Sequence, residues 1–356
     1  MVAMTTMRAI TLAPGEPGSA LLEDVAVPAA TDGALLVRTL ALGICGTDHE
    51  ILAGLYGEAP KGEARLILGH ESLGEVVVAE GASGFAPGDR VVGIVRRPDP
   101  VPCPACASGE WDMCRNGLYT ERGIKARHGF GSELFRLEPD FAVKVDAALG
   151  LTAVLMEPAS IVAKAWQHVE RIGKRSASFA PRNVLVTGAG PIGLLAALMG
   201  VQRGLDLHVL ERKREGRKAD LLRDLGAHQY TSLDDLRGES FDIVMECTAA
   251  APVIAAAIAS SAASGIVCLV GVSAPGDKTE CDIGGLNRTL VLNNQAVFGT
   301  VNANRGHYDM AASSLKAAER AWLERLITRR VPLDRWREAL TPQPDDIKVA
   351  IEFPGT

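Results

Sequence analysis

The alternation of apolar and polar positions changes character near residue 155. Ahead of it, short β-rich runs are separated by glycine and proline. Leu35–Thr39, Gly74–Val78 and Arg90–Val95 read as strands, with turns at Gly81 to Gly84 and at Pro87-Gly88-Asp89. From Glu157 the period lengthens, and Ile161, Ala165, Trp166 and Val169 fall on one face of a helix. Beyond it apolar strands alternate with helical stretches. Val184–Thr187, Leu207–Leu210, Ile243–Glu246, Ile266–Val270 and Ala296–Gly299 are the strand candidates, followed by a C-terminal segment of helical character. The pattern predicts an α/β protein, with an irregular, mostly-β domain over 1–155 and a doubly wound parallel-sheet domain over 156–299.

Two uncharged runs, 183–202 and 247–276, are long enough to span a bilayer, for which about 20 apolar residues suffice. Glycines and Pro191 interrupt the first. The second is rich in Ala and Ser and is broken by Pro252 and Gly265. Both read as elements of a parallel sheet covered on both faces, so no membrane is expected. The 356 residues leave room for two domains, and 47% hydrophobic with 22% charged residues is an ordinary globular composition. A net charge of −6 without a dominant basic face argues against a nucleic-acid partner. Met1–Ile10 lacks the basic-then-apolar order of a secretory signal. Seven cysteines are an odd count for a disulfide framework, which points to a reducing compartment, the cytoplasm by default, and to metal ligation.

The strand at Val184–Thr187 runs directly into Gly188-Ala189-Gly190-Pro191-Ile192-Gly193, and a helix opens after it. In that context the glycines form a dinucleotide fingerprint. Gly188 permits a tight turn, Gly190 lets a pyrophosphate approach the backbone, and Gly193 lets helix and strand pack closely. Free N–H groups at the helix start favour an anion. The blander reading is a structural strand-to-helix turn. Glu211, at the end of the next strand, suits the ribose hydroxyls of NAD, whereas Arg212, Lys213 and Arg214 could hold the extra phosphate of NADP or simply be solvated charges. The balance leans to NAD.

Two further clusters carry metal-ligand chemistry. The first comprises Cys45, His70 and Glu157, residue types that zinc prefers in catalytic sites that keep an open position. Singly, each has a plain explanation: a small buried hydrophobe, a hydrogen-bonded core histidine, the acidic first turn of a helix. The second is Cys103, Cys106 and Cys114 in a proline- and glycine-rich loop, a structural zinc site that needs a fourth ligand, for which Asp99 is the candidate. An empty lobe is the alternative.

These segments, in the order Gly43-Ile44-Cys45-Gly46-Thr47-Asp48, Gly69-His70-Glu71, the cysteine loop, Glu157-Pro158 and the glycine turn, resemble the zinc-dependent medium-chain dehydrogenases over essentially the whole chain. Arg96-Arg97-Pro98, Tyr119 to Ile124 and Gly299-Thr300-Val301-Asn302 look most like the glucose dehydrogenase branch. The resemblance implies a GroES-like catalytic domain completed by 300–356 and a Rossmann domain. It implies catalytic zinc at Cys45 and His70, with Glu71 and Glu157 as direct or water-mediated ligands, and a homodimer or homotetramer. Thr47 would contact the reacting hydroxyl, and Glu121 and Asn302 the sugar hydroxyls. The relay histidine of many relatives lies five residues after the cysteine. Here Glu50 occupies that place and His49 precedes it.

The reaction so implied is oxidation of the anomeric hydroxyl of an aldose such as glucose to the lactone, with zinc as Lewis acid, Thr47 as proton acceptor and hydride passing to NAD or NADP. The rival enzyme is a dehydrogenase of another polyol or alcohol, although a simple-alcohol pocket should be apolar and Glu121 is charged. A nucleotide-binding sensor without turnover is the alternative from another class, and it has no need of an open zinc position.

Overall fold

Leu35–Ile44 is the strand on which the first half of the molecule is built. One edge pairs antiparallel with Glu71–Ala79. The other carries Leu134–Leu137 against Leu35 to Arg38 and Lys348–Glu352 against Ala41 to Ile44. The sheet runs Ala142–Lys144, Arg90–Gly93, Glu71–Ala79, Leu35–Ile44, Lys348–Glu352, Ile327–Pro332. Glu71–Ala79 lies close to its neighbour only because residue 74 is glycine, where a Cβ would meet Val37 Cγ1 at 2.4 Å. Ile10, Leu35, Leu42, Phe130 and Ile351 are fully buried in its core. Two three-stranded sheets complete this half, one of Leu21–Ala26, Thr6–Leu12 and Leu66–Ile67, the other of Arg96–Arg97, Thr120–Arg122 and Ala126–Arg127.

This computed structural model describes residues 5–273 and 276–354. Residues 1–4 of the segment read for a signal, 274–275 of the second apolar run and 355–356 lie outside the described residues. The chain forms two compact units, 1–160 with 302–356, and 161–301. The first division falls inside the helix Met156–Gly173 and leaves Glu157 with the first unit.

Among its described residues the second unit holds six strands, all parallel, in the order His228–Tyr230, Asp206–Leu210, Asn183–Thr187, Phe241–Glu246, Ser261–Leu269, Ala296–Gly299. The winding reverses between Asn183–Thr187 and Phe241–Glu246, the switch point at which such sheets take nucleotides. The α/β expectation holds. The strand His228–Tyr230 has no counterpart in the sequence reading, because its three residues are polar or half-exposed.

The C-terminal segment departs from its expected helical character. After helices Arg305–Ala317 and Arg320–Leu326 the chain adds the strands Ile327–Pro332 and Lys348–Glu352 to the first sheet. Their charged residues hide the alternation. Arg329 is satisfied by Asp346 at 2.7 Å and Lys348 by Glu71. The two apolar runs flagged for the bilayer divide into shorter strands and helices, such as Pro191–Gln202 and Ala251–Ala259. Among the described residues one helical stretch, Ala147–Gly173, is long and apolar enough to cross a membrane, and 72% of its most apolar window is buried.

Candidate active site

The strand Leu35–Ile44 delivers Cys45 to the start of the helix Gly46–Leu52. The thiol accepts the N–H of Thr47 at 3.3 Å, and the backbone N–H of Cys45 donates to Asp48 Oδ2 at 2.9 Å. His70 Nε2 stands 3.0 Å from Cys45 Sγ, and its Nδ1 stands 3.4 Å from Asp48 Oδ1, a near contact rather than a well-formed hydrogen bond. Gly69 makes this approach possible. Its φ is +97° and a Cβ there would meet Leu42 Cδ2 at 2.6 Å. Burial opposes a charge on His70, but Cys45 and Asp48 outweigh it and raise the imidazole's proton affinity well above the ordinary value.

Donor atoms of Cys45, Asp48 and His70 lie within 4.8 Å of one another, as do those of His70, Glu71 and Glu157. A thiol, an imidazole and a carboxylate meeting in a buried place is a donor set that fits zinc. Burial lifts the Glu157 carboxyl to about 7, with His70 opposing and Glu71 adding to the rise. Glu71 is already engaged. Both of its oxygens accept from Lys348 Nζ, at 2.6 and 2.7 Å, and Nζ also donates to Ile44 O at 3.1 Å. Gly43 leaves the room for this pair, since a Cβ there would come within 2.1 Å of Glu71 Oε2. Neither Asp48 nor Lys348 was singled out from the sequence.

Glu121 and Asn302 are brought together. Asn302 Nδ2 donates to Glu121 Oε1 at 2.7 Å, and the Arg96 guanidinium donates to the same oxygen from Nε at 3.1 Å and Nη2 at 3.0 Å. Arg96 faces Glu121 because their strands pair in that register, and it stacks 3.7 Å over the Tyr119 ring. Asn302 adopts φ +61°, a left-handed conformation that asparagine tolerates, and its Oδ1 accepts the next residue's N–H at 2.8 Å. Thr47 and His49 are half-buried on the short helix, where His49 acts electrostatically on Asp346.

In the loop, the sulfurs of Cys103, Cys106 and Cys114 lie within 4.8 Å of one another. Backbone N–H groups, that of Arg115 foremost, draw Cys103 down to about 6, whereas burial pushes Cys106 up to about 11. Asp99 is buried nearby: its backbone N–H reaches Cys106, but its carboxylate is not within 4.8 Å of all three sulfurs. Its Oδ1 accepts the Val101 N–H at 2.9 Å, and its Oδ2 has no hydrogen-bond partner among the described residues. Three thiols brought together fit a structural metal site, and Asp99, whose Oδ2 is unpaired, is the candidate for the fourth ligand.

In the second unit, Gly188 takes φ +84°. Gly190 caps the helix Pro191–Gln202 with Pro191 at its first position, and nothing lies within 4 Å of a Cβ built on Gly190, which leaves space for a phosphate; Ile192 follows. A Cβ on Gly193 would meet Gly188 O at 1.9 Å. Glu211 accepts the N–H of Ala189 at 3.2 Å and of Lys213 at 3.3 Å, so its carboxylate is held against the turn, while Arg212 and Lys213 are exposed.

Comparison with known proteins agrees along the whole length. The family model for the alcohol dehydrogenase GroES-like domain matches residues 31–147, and that for the glucose dehydrogenase C-terminus matches 150–353. A glucose 1-dehydrogenase of Methanocella arvoryzae is 39% identical over 98% of this chain and 99% of its own length. One from Thermoproteus tenax is 37% identical over 97% and 99%. The structure of Haloferax mediterranei glucose dehydrogenase in complex with NADP, Zn and gluconolactone superposes with a TM-score of 0.90 at 32% identity, covering 98% of this chain and 100% of that one.

Proposed function

The chain belongs to the glucose dehydrogenase branch of the zinc-dependent medium-chain dehydrogenases, and on that premise we propose that it oxidises the anomeric hydroxyl of an aldose such as glucose to the lactone with reduction of NAD or NADP. The observation that carries the reading is the convergence on buried His70 of half-buried Cys45 in one donor cluster and buried Glu157 in another, in a unit that also holds the Glu121–Asn302 pair. Bound zinc supplies a Lewis acid for the substrate hydroxyl, and bound nicotinamide a two-electron acceptor.

Cys45 and His70 would hold the metal, with Glu157 as the carboxylate partner, direct or through water. The Asp48 carboxylate faces His70 Nδ1 at 3.4 Å and favours a proton on that nitrogen electrostatically, which leaves Nε2 towards Cys45. Lys348 neutralises Glu71, so the pocket does not carry two uncompensated carboxylates. Thr47 takes the hydroxyl proton and releases it towards solvent; His49 is the alternative relay. Glu121 and Asn302, braced by Arg96, accept and donate to sugar hydroxyls, and a substrate lacking those hydroxyls leaves them unpaired. In the second unit the glycine turn cradles the pyrophosphate and Glu211 meets the ribose.

All seven cysteines are free thiols, which supports a reducing compartment such as the cytoplasm. The assembly, a dimer or tetramer by family resemblance, is open to sedimentation measurement. A substrate panel followed at the reduced-nicotinamide absorbance tests the function. Aldoses should be turned over with lactone as product, and polyols without an anomeric hydroxyl should not. Turnover confined to simple alcohols would remove the proposal.

A further inference from the structure

The strand Thr120–Arg122 has two faces. Glu121 turns to Arg96 and Asn302, and its neighbour Arg122 turns the other way, as alternate residues of a strand must. Arg122 lines a cavity of about 590 Å³ in the first unit, within the roughly 300–1,000 Å³ range of small-molecule sites. None of Cys45, His70, Glu157, Glu121 or Asn302 lines it.

The charge on and behind its walls is unevenly shared. Arg65, Arg122, Arg127 and Arg136 line it together with Glu23, Glu63 and Asp32. Those acids are committed. Glu23 pairs with Arg65 at 2.8 Å, Glu63 with His128 at 2.8 Å, and Asp32 accepts the Ala29 N–H at 3.0 Å. Behind the wall a single carboxylate, Glu138, serves three guanidiniums: Arg97 at 2.8 Å, Arg122 at 3.7 Å, and Arg127 through a short ion pair. Arg136 turns outward to Glu80 at 2.8 Å. Arg122 is only 6% exposed, its Nη atoms donate to the carbonyls of His128 and Arg136, and burial with the like charges of Arg97 and Arg127 makes its charge costly. The Nε–H groups of Arg122, Arg127 and Arg136 are all buried without an acceptor among the described residues. A native fold leaves few such donors. An oxyanion beside Arg122 and Arg127 would share the charge that Glu138 alone meets for three guanidiniums and, once those side chains turn their buried Nε–H groups to the cavity, accept them in the forked geometry that phosphate takes from arginine.

We propose that this cavity binds the phosphate group of a phosphorylated small molecule, at a site separate from the nucleotide turn and from the Cys45–His70 cluster.

Calorimetric titration of the full chain tests this, using inorganic phosphate and then sorbitol 6-phosphate, which has no anomeric hydroxyl, with saturating NADPH present so that the nucleotide turn is filled and nothing is turned over, and with chloride at matched ionic strength as reference. One saturable site per chain is expected, weakened at least tenfold by Arg127→Gln, with aldose turnover in phosphate-free buffer unchanged. Arg136→Gln is the second variant should the first fail to fold, and it should weaken binding in the same direction. Absence of saturable binding, or wild-type affinity in the folded variants, would overturn the site. Tighter binding of gluconate than of either phosphate would overturn its assignment to phosphate.

Discussion

Lys348 Nζ lies 2.6 and 2.7 Å from the two carboxylate oxygens of Glu71, and both side chains are 1% exposed. The pair joins the final strand to the strand that follows His70, directly beneath the proposed metal ligands. Burial works against a charged Lys348, but Glu71 and Cys45 outweigh it and keep the amine protonated.

Breaking that pair from one side should cost more than removing it. Lys348→Met leaves a buried carboxylate without its cation, for which a loss of about 3–5 kcal/mol is expected. The double variant Lys348→Met with Glu71→Gln should recover much of the loss. Denaturant unfolding of the two single variants and the double gives the coupling, and strictly additive losses would show that the two groups do not act as a pair.

Asp48 should behave as a positioning residue. Asp48→Asn keeps the shape but withdraws the charge facing His70 Nδ1, and metal affinity or activity should fall by about 10–100-fold. Zinc retention during competition with a chelator reads this directly. Cys45→Ala should go further and abolish both the metal at this cluster and turnover. Nucleotide affinity, measured by fluorescence, should be unchanged because its residues belong to the other unit.

Metal analysis should find two zinc ions per chain. Asp99→Ala is expected to leave one and to lower the melting temperature, with little effect on the rate at moderate temperature. A wild type with a single zinc would deny the thiol loop its metal.

Glu138 makes a prediction about acid. Burial would raise its carboxyl, but Arg97, with Arg127 and Arg122, holds it at about 2 against an ordinary 4.5. Because the folded value is the lower one, the stabilisation is fully present above about pH 4.5 and is lost as pH falls towards 2. Discounted for its 32% side-chain exposure, the contribution is about 1–2 kcal/mol. The stability gap between wild type and Glu138→Gln should therefore be constant near neutrality and close below about pH 4.5. A gap that persists at pH 2 would contradict the assignment.

Cofactor choice turns on Glu211. A 2′-phosphate placed there meets like charge, and exposed Arg212 and Lys213 offset it by only about 0–1 kcal/mol. Glu211→Gln should raise kcat/KM for NADP and leave or lower that for NAD. A wild type strongly preferring NADP would show that the basic run sets the choice.

What could be read in advance follows from distance along the chain. The roles of Gly188, Gly190 and Gly193 are local, so a strand, a turn and a helix in sequence were enough to point to them. Cys45 and His70 drew notice through residue type, and the structure places them 3.0 Å apart. Lys348 and Glu71 are 277 residues apart, and Asn302 and Glu121 are 181 apart. No periodicity pairs such positions. The strand at Lys348–Glu352 was illegible for the same reason, since a lysine at the start of a buried strand makes sense only once its carboxylate is known.

Asn302 is the first residue of the chain after unit 161–301, and its left-handed backbone and its bond to Glu121 belong to one side chain. A chimaera that borrows a relative's nucleotide unit therefore has a natural seam just ahead of it. Spliced at Val301, the recipient keeps its own asparagine and with it the setting of Glu121, the carboxylate proposed to face the sugar. Spliced a few residues later, the graft imports a foreign residue into the specificity apparatus, and a swap meant to alter only coenzyme use would alter the accepted sugar as well.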